Sequence, residues 1–133
     1  MKYELTKDLE TGNGLIDSEH RQLFQAVNTL MDACSVGKGR DKIKSTSQFL
    51  QDYVIKHFRD EEDLQKTHQY PGYISHRQFH GGYAQTLNKI CWEIEKEGPT
   101  IPILSKLNQH IGVLVNHIRT EDKKLAEFLR NKK

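Results

Sequence analysis

The sequence predicts an all-α fold, an up-down-up-down four-helix bundle with an N-terminal arm. Apolar residues recur at three- and four-residue steps through four long segments, and none of these segments shows the two-residue alternation of a strand. Breaks that combine glycine or proline with polar neighbours, at 36–40, 69–72 and 97–100, separate the segments. Connections this short favour antiparallel neighbours, which is the arrangement of an up-down bundle.

The predicted helices follow the arm and together fill one domain. The arm covers residues 1–17, and the helices cover about 18–36, 42–67, 74–97 and 101–129. A chain of 133 residues suits a single domain with a continuous core, which we place at 1–133.

Residues that favour helix ends stand at three of the predicted boundaries. Asp17 is the expected N-cap of the first helix, Gly37 is its expected stop, and Thr100 is the expected N-cap of the fourth helix. The apolar residues expected on the inner helix faces are Leu23, Phe24, Val27, Leu30, Met31 and Cys34; Ile43, Leu50, Tyr53, Val54 and Leu64; Phe79, Tyr83, Leu87, Ile90, Cys91 and Ile94; and Ile103, Leu107, Ile111, Leu114, Ile118 and Leu125.

Composition argues against a nucleic-acid or membrane partner. Lys and Arg total 20 against 18 Asp and Glu, which gives a formal charge of +2 with no basic block beyond a short Lys-Lys tail. No apolar stretch is long enough to cross a bilayer, and the N-terminus lacks the apolar core of a signal peptide. Cys34 and Cys91 are too few for a disulfide framework. We therefore expect a monomeric cytoplasmic protein that binds neither nucleic acid nor a membrane.

Five histidines fall into four short clusters with other potential metal ligands. The clusters are Asp17-Ser-Glu-His20, His57-Phe-Arg-Asp-Glu61, His76-Arg-Gln-Phe-His80 and His117-Ile-Arg-Thr-Glu-Asp122. Side chains four residues apart share one face of a helix, so His57 and Glu61 could bind one ion. The same holds for His76 and His80. A single histidine in an apolar stripe is more often a hydrogen-bonded core residue, but the coincidence of four clusters favours a metal site.

The last cluster leaves one ligand undecided. His117 and Asp122 are five residues apart, about 140° around an ideal helix, so joint ligation needs a π-type widening or a long reach by the carboxylate. Glu121 is the geometric competitor, and spacing alone does not choose between the two carboxylates.

The predicted topology brings all four clusters to one level of the bundle. Helices one and three start at the end where helices two and four finish. The candidates near that end are His20, His76 and His80, early in their helices, and His57, Glu61, His117 and Asp122, late in theirs. At about 1.5 Å per residue, Cys34 and Cys91 fall about 16–21 Å away along their helices. We assign neither cysteine to the site, nor His68, nor His110.

The donor set indicates a pair of iron ions. Five imidazoles and two carboxylates are too many for one four-coordinate structural zinc, but they fit two adjacent ions bridged by Glu61 and Asp122. Nitrogen and oxygen donors without thiolate suit iron better than copper(I) or calcium. If three histidines serve one ion and two serve the other, the second ion has a free position at which a ferrous site can bind dioxygen.

These motifs, in this order, resemble the hemerythrin family, and most closely its single-domain bacterial members, the bacteriohemerythrins. The likeness covers nearly the whole chain. It rests on Gly12 and Leu15-Ile-Asp-Ser-Glu-His20-Arg-Gln-Leu-Phe24, then His57-Phe-Arg-Asp-Glu61-Glu, Tyr70-Pro-Gly-Tyr73, His76-Arg-Gln-Phe-His80 and His117-Ile-Arg-Thr-Glu-Asp122.

The resemblance implies a di-iron centre, with a bridging oxo or hydroxo group, that binds dioxygen reversibly at the iron with fewer histidines. It implies that one iron is bound by His76, His80 and His117 and the other iron by His20 and His57. It also implies that Glu61 and Asp122 bridge the two irons. In favouring Asp122 over Glu121, the resemblance decides what spacing left open. The imidazole N–H groups that face away from the irons should have hydrogen-bond acceptors, which the sequence does not identify.

The surroundings of the implied centre carry further expectations. Phe58, Leu114 and Ile118 lie next to ligands or one turn away, and they are candidates for an apolar wall that keeps out water; each is equally well explained as ordinary core. The chain departs from the pattern of the family at Leu5, where bacterial members usually have Trp, and at Glu19, which is often Gln.

The Gly81-Gly82 pair directly follows His80, at a cost of about 1 kcal/mol per residue relative to alanine in a helix interior. A close approach of another backbone would explain the pair, and so would tolerated strain or simple drift.

Three functions are carried forward from the sequence. The first is reversible dioxygen binding for storage, delivery or sensing, by a protein that is not an enzyme. The second is a di-iron enzyme that acts on peroxide, dioxygen or nitric oxide. The third is a metal-storage or structural helical bundle. The sequence identifies no redox partner.

Overall fold

The computed structural model describes residues 3–35 and 40–131, with only the backbone of Arg40 included. Its helices are α1 (Gly14–Ser35), α2 (Arg40–Thr67), α3 (Tyr73–Glu97), α4 (Ile101–His117) and α5 (Lys123–Asn131). A π-helical segment, Ile118–Asp122, connects α4 directly to α5. These three elements together form the fourth helical rod of the fold.

Consecutive helices pack side by side. Helix α1 contacts α2, α2 contacts α3, and α3 contacts α4, while the described residues contain no strand. The predicted all-α fold, an up-down-up-down four-helix bundle, is confirmed. None of the helices within the described ranges is both long and apolar enough to cross a bilayer.

The predicted inner faces form the core. Three residues expected there, Met31, Leu64 and Phe79, are only half-buried. The largest fully buried side chains come from all four rods and are Ile16, Leu23, Phe24, Leu30, Leu50, Leu87, Ile94, Leu107, Ile111, Leu114, Ile118 and Leu125. Removing this apolar surface from water is the main force that holds the rods together.

The first helix begins earlier than the sequence predicted. Asp17 is not the N-cap, since α1 starts at Gly14 and Asp17 lies in its first turn. The backbone N–H of Ile16 donates to Asn13 Oδ1 at 3.0 Å, as in a side-chain cap. Asp17 instead accepts from the backbone N–H and the hydroxyl of Thr11 in the arm, at 2.9 and 2.8 Å. The expected stop at Gly37 lies outside the described residues.

The other boundaries agree with the turn residues in the sequence. Thr100 caps α4, because its side chain accepts from the N–H of Ile103. Gly98 follows α3 with a φ of +89°, a conformation that glycine adopts without the strain a side chain would bring. The turn between α2 and α3 includes Gln69, whose φ is +56°.

Hydrogen bonds fasten the N-terminal arm to α1 and α4. The backbone N–H of Tyr3 donates to Asn28 Oδ1, and the Asn28 amide donates back to the Tyr3 carbonyl, each at 2.8 Å. The Tyr3 hydroxyl donates to Asn108 Oδ1 at 2.8 Å. Further along the arm, Leu9 is buried, and the short 3₁₀ turn Lys7–Leu9 packs against the π-helical segment. The arm therefore runs alongside α1 and α4 from the middle of the bundle, at Tyr3, toward the end at which α1 begins.

Gly81 and Gly82 do not mark a close approach of another backbone. Both are exposed on α3, and a Cβ added at either would meet nothing within 4 Å outside its own helix. The expectation of a close approach at this pair is wrong. Of the explanations that the sequence offered, tolerated strain and drift remain.

Gly81→Ala and Gly82→Ala are expected to raise the free energy of unfolding by about 0.4–1 kcal/mol each. Alanine restricts the unfolded chain, and at these positions it causes no clash in the folded protein. Urea unfolding of the metal-free protein measures the change. Gly98→Ala is the control that should lower the stability, because a φ of +89° strains any side chain. A loss of stability in Gly81→Ala would contradict an open surface at this pair.

Candidate metal centre

The seven predicted ligand residues meet at one level of the bundle, and all of them are buried. Antiparallel packing causes this convergence, because the early residues of α1 and α3 face the late residues of the other two rods. The contributions are His20 from α1, His57 and Glu61 from α2, His76 and His80 from α3, His117 from the end of α4, and Asp122 from the π-helical segment.

Glu61 lies between two groups of imidazoles. Its Oε1 is 3.4 Å from His76 Nε2 and 3.3 Å from His80 Nε2. Its Oε2 faces the other way, 3.2 Å from His57 Nε2 and 3.6 Å from His20 Nε2. One carboxylate therefore presents a separate oxygen to each side of the centre.

The two carboxylate oxygens of Asp122 also face opposite sides of the centre. Its Oδ1 is 3.0 Å from His76 Nε2 and 3.1 Å from His117 Nε2. Its Oδ2 is 3.1 Å from His20 Nε2. We refer below to the three-histidine side, which consists of His76, His80 and His117, and to the two-histidine side, which consists of His20 and His57.

The π-helical segment turns Asp122 inward. An ideal α-helix would place this residue about 140° from His117, and the wider turn of Ile118–Asp122 brings the two side chains to one face. The side chain of Asp122 is 1% exposed, whereas that of Glu121 is 47% exposed and pairs with Lys124 at 3.4 Å. Of the two solutions that the spacing allowed, the π-type widening is present, and it is Asp122 that reaches the centre.

Several buried atoms at the centre have no well-aligned hydrogen-bond partner within the described part of the chain. They are Nε2 of His20, His57 and His80, both carboxylate oxygens of Glu61, and Oδ1 of Asp122. An unsatisfied buried polar group costs about 1–3 kcal/mol. So many unsatisfied nitrogen and oxygen atoms in one place indicate that cations satisfy them, either as metal ions or as protons.

The spacing of the donors fits a metal ion on each side. Two ligand atoms that are each about 2.1 Å from one ion, at right angles to each other, lie about 3 Å apart. The nitrogen–oxygen distances at the centre run from 3.0 to 3.6 Å, and Nε2 of His76 is 2.9 Å from Nε2 of His117. Donor atoms within 4.8 Å of one another form two groups, one for each side, and both groups include Glu61.

The carboxylates shift the proton affinity of the imidazoles. Burial alone disfavours a charged ring, but Glu61 and the other nearby carboxylates outweigh burial and raise the pKa of His57 to about 10. Asp122 and Glu61 likewise outweigh burial at His76, whose pKa rises to about 9. In turn, burial opposes ionisation of Glu61, but the His57 ring and its neighbours hold the pKa of this carboxyl well below its usual value. A metal ion must therefore displace protons from these rings in order to bind.

A known protein family matches the part of the chain that contains this group of histidines and carboxylates. The model described as "Hemerythrin HHE cation binding domain" matches residues 11–129, a range that contains all seven buried candidate ligand residues. The chain belongs to the hemerythrin family. The resemblance inferred from the order of the histidine motifs is confirmed.

Myohemerythrins and bacteriohemerythrins resemble the chain over most of its length. It is 27% identical to a myohemerythrin of Theromyzon tessulatum, over 90% of this chain and 88% of that protein. It is 30% identical to a bacteriohemerythrin of Methylococcus capsulatus, over 85% of each chain. A bacteriohemerythrin of Campylobacter jejuni is 27% identical, over 95% of this chain and 94% of that protein.

Two of the histidines donate their outward N–H groups to carboxylates that the sequence did not identify as partners. His57 Nδ1 is 2.9 Å from Glu19 Oε1, and His80 Nδ1 is 3.0 Å from Glu62 Oε2. A carboxylate only accepts, so each bond leaves Nε2 of the ring facing the centre. Both contacts cross from one helix to another, which sequence spacing cannot show. The single available signal was the departure from the pattern of the family at Glu19.

Aromatic rings cover the three-histidine side. Phe58 stacks on His80 with ring centroids 3.8 Å apart, and Phe79 stacks on His117 at 4.0 Å. Phe79 was predicted only as a core residue. The proposed wall residues are all buried, and they are Phe58, Leu114 and Ile118.

The two cysteines and the two remaining histidines lie outside the two donor groups found among the described residues, as predicted: Cys34, Cys91, His68 and His110. Both cysteines are buried free thiols. His110 stacks on Tyr83 at 3.8 Å and donates from Nε2 to the Tyr83 carbonyl at 2.9 Å. His68 Nδ1 donates to the Leu64 carbonyl at 3.0 Å. Local hydrogen bonds and packing thus account for both histidines.

Proposed function

We propose that this chain binds two iron ions at the buried centre and binds dioxygen reversibly. The observation that carries the proposal is the division of both carboxylates between the two sides. Glu61 and Asp122 each present one oxygen to the three-histidine side and the other oxygen to the two-histidine side. Bridging ligands of a metal pair have this arrangement. Membership of the hemerythrin family supports the same cofactor, with an oxo or hydroxo group as a further bridge.

The proposed ligands divide unequally between the ions. An ion on the three-histidine side would be held by three imidazoles and two carboxylate oxygens, and an ion on the two-histidine side by two of each. The two-histidine side therefore offers one protein donor fewer, which supports binding of an external ligand there. The full proposed set is His76, His80 and His117 for the first ion, His20 and His57 for the second, and Glu61 and Asp122 for both.

The chemistry of the donors favours iron. Imidazole and carboxylate donors without thiolate suit an iron ion, whereas calcium takes oxygen ligands and copper(I) prefers sulfur. When bound, an iron pair supplies two electrons to dioxygen and recovers them when the gas is released. The residues around the pair then determine whether this exchange stays reversible.

The chain's own residues exclude water from the centre and orient the imidazoles. All seven ligand residues are at most 5% exposed. Phe58 and Phe79 cover two of the rings, and Leu114 and Ile118 complete the proposed apolar wall. Because water at the centre would promote irreversible oxidation, this dry packing supports a carrier of dioxygen over an enzyme that consumes it.

We place this role in dioxygen storage, delivery or sensing, in a monomeric cytoplasmic protein. The buried free thiols of Cys34 and Cys91 support a reducing compartment. A di-iron enzyme and a metal store have the same ligands, so the experiment must separate the three roles by behaviour.

The test combines metal analysis by mass spectrometry with the visible spectrum of anaerobically purified protein. We expect two iron ions per chain and a colourless protein that gains a visible absorption band in air. The band should disappear on deaeration and return in air over repeated cycles. Protein loaded with zinc is the control and should stay colourless, because zinc has no redox chemistry.

The same measurements identify each alternative. A spectrum that is unchanged by air in the iron-loaded protein would rule out dioxygen binding at the centre. Multiple turnovers of peroxide, dioxygen or nitric oxide would support an enzyme, since a carrier returns its ligand unchanged. Less than one metal ion per chain would support the third alternative, a metal-storage or structural bundle.

A further inference from the structure

Glu19 connects the two-histidine side to a lysine at the protein surface. This carboxylate belongs to α1, next to His20, and is only 5% exposed. It reaches across to α2, where Oε1 accepts from His57 Nδ1 at 2.9 Å and Oε2 accepts from Lys56 Nζ at 3.0 Å. One buried carboxylate therefore contacts both a proposed iron ligand and a cation.

Lys56 compensates the negative charge of the Glu19 carboxylate. Its side chain is 60% exposed, and Nζ also contacts Asp60 Oδ2 at 2.9 Å, one turn further along α2. Burying a charge is costly unless a partner compensates it. The Lys56 ammonium therefore offsets part of the negative charge that Glu19 presents to His57.

The two rings on this side have different outer partners. The outward N–H of His57 has an ionic acceptor, whereas Nδ1 of His20 is buried and has no hydrogen-bond partner among the described residues. On the three-histidine side, His80 has Glu62 as its acceptor, but that carboxylate is 23% exposed and therefore better solvated. Of these contacts, the one to Glu19 should therefore increase the negative charge on its imidazole ring the most.

We propose that Glu19 is a positioning residue that increases the donor strength of His57 and so favours the oxidised state of the iron pair, while Lys56 limits this effect. The inference rests on the proposed di-iron function. A carboxylate that accepts the outward N–H makes an imidazole a more basic ligand, and it also fixes the orientation of the ring. A stronger donor stabilises the ferric ion more than the ferrous ion, since the ferric ion carries the higher charge.

The first test compares the iron-loaded wild type with Glu19→Gln. Glutamine keeps the shape and one acceptor oxygen but removes the charge. We expect the reduction equilibrium to shift toward the ferrous state by about tenfold, which is about 59 mV for a one-electron step. Iron affinity should fall by about 10-fold or more, within the range usual for partners of metal ligands. Spectroelectrochemistry and iron release to a chelator measure the two effects.

Glu93→Gln is the matched control. Glu93 is 17% exposed, and it pairs with the exposed Lys106 at 3.3 Å, between α3 and α4. The substitution removes the same charge from a similar pair that touches none of the seven proposed ligands. The midpoint potential and the rate of iron release should match those of the wild type.

Lys56→Met provides an independent test, and we expect it to keep the fold because the Lys56 side chain is 60% exposed. It leaves Glu19 without its counter-ion and should shift the potential in the direction opposite to Glu19→Gln. In the Glu19→Gln background the Lys56 change should have little effect, since the two residues act through one contact. Equal Lys56 effects in both backgrounds, or a Glu19→Gln protein with two irons and a wild-type potential, would overturn the inference. A wild type that binds no iron would instead overturn the proposed function.

Discussion

Asp122→Asn is expected to weaken binding of the metal pair by more than about 100-fold. The loss should exceed the 10–100-fold typical when a hydrogen-bond partner of a ligand is removed, because Asp122 itself faces both sides of the centre. Asparagine keeps one carbonyl oxygen but replaces the other oxygen with an amide nitrogen that cannot bridge. Titration of the metal-free protein with zinc(II) or cobalt(II), followed by metal analysis, measures the change in affinity.

Glu121→Gln is the control for this substitution. It removes the same charge one residue earlier in the chain, but the Glu121 side chain is 47% exposed and pairs with Lys124. Its metal affinity should stay within about twofold of the wild type, as is usual for surface substitutions. If Glu121→Gln lost the metal and Asp122→Asn kept it, the inward orientation set by the π-helical segment would be wrong.

The metal-free protein is expected to lose stability as the pH rises from about 6.5 to about 10. The folded-state pKa is about 10 for His57 and about 9 for His76, against 6.5 in the unfolded chain. A group with a raised folded-state pKa contributes stability that is fully present below its unfolded pKa and is lost as the pH passes its folded pKa. Because one pKa unit corresponds to about 1.4 kcal/mol, the two rings together should contribute on the order of several kcal/mol.

Urea unfolding of the metal-free protein at several pH values between 6.5 and 9.5 tests this expectation. Zinc-loaded protein is the control, and its stability should change little in this window because a ligated imidazole nitrogen carries no proton. At acid pH the sign reverses for Glu61, whose lowered pKa contributes stability that is lost as the pH falls. A metal-free protein equally stable at pH 6.5 and 9.5 would show that imidazolium–carboxylate pairs do not support the empty centre.

Much of the fold could be predicted because its signals are local. The second helix was expected at 42–67 and the third at 74–97, and the structure has them at Arg40–Thr67 and Tyr73–Glu97. Apolar periodicity and turn residues act over a few positions, so the sequence displays them directly.

The start of the first helix could not be decided in this way. Asn13 and Asp17 are both good capping residues, and both precede the same apolar stripe. Asp17 does not cap the helix because its side chain accepts hydrogen bonds from Thr11. These bonds depend on how the arm folds back on α1.

In the candidate site, too, the local features could be predicted and those that depend on the folded structure could not. Spacing identified His57 with Glu61 and His76 with His80 as pairs on one helix face, since a helix repeats about every 3.6 residues. It left the carboxylate that accompanies His117 open, because the answer depends on a local change in helix type.

By itself, the sequence determined the four-helix pattern, the level at which the ligand-type residues collect, and the donor chemistry. Only the tertiary structure decided how each carboxylate divides its oxygens between the two sides, which rings receive outer partners such as Glu19 and Glu62, and that Gly81 faces open space. The physical reason is that helix periodicity is a property of neighbouring residues. Contacts between side chains on different helices depend instead on the rotation and offset of whole rods, which the packing of the complete core sets.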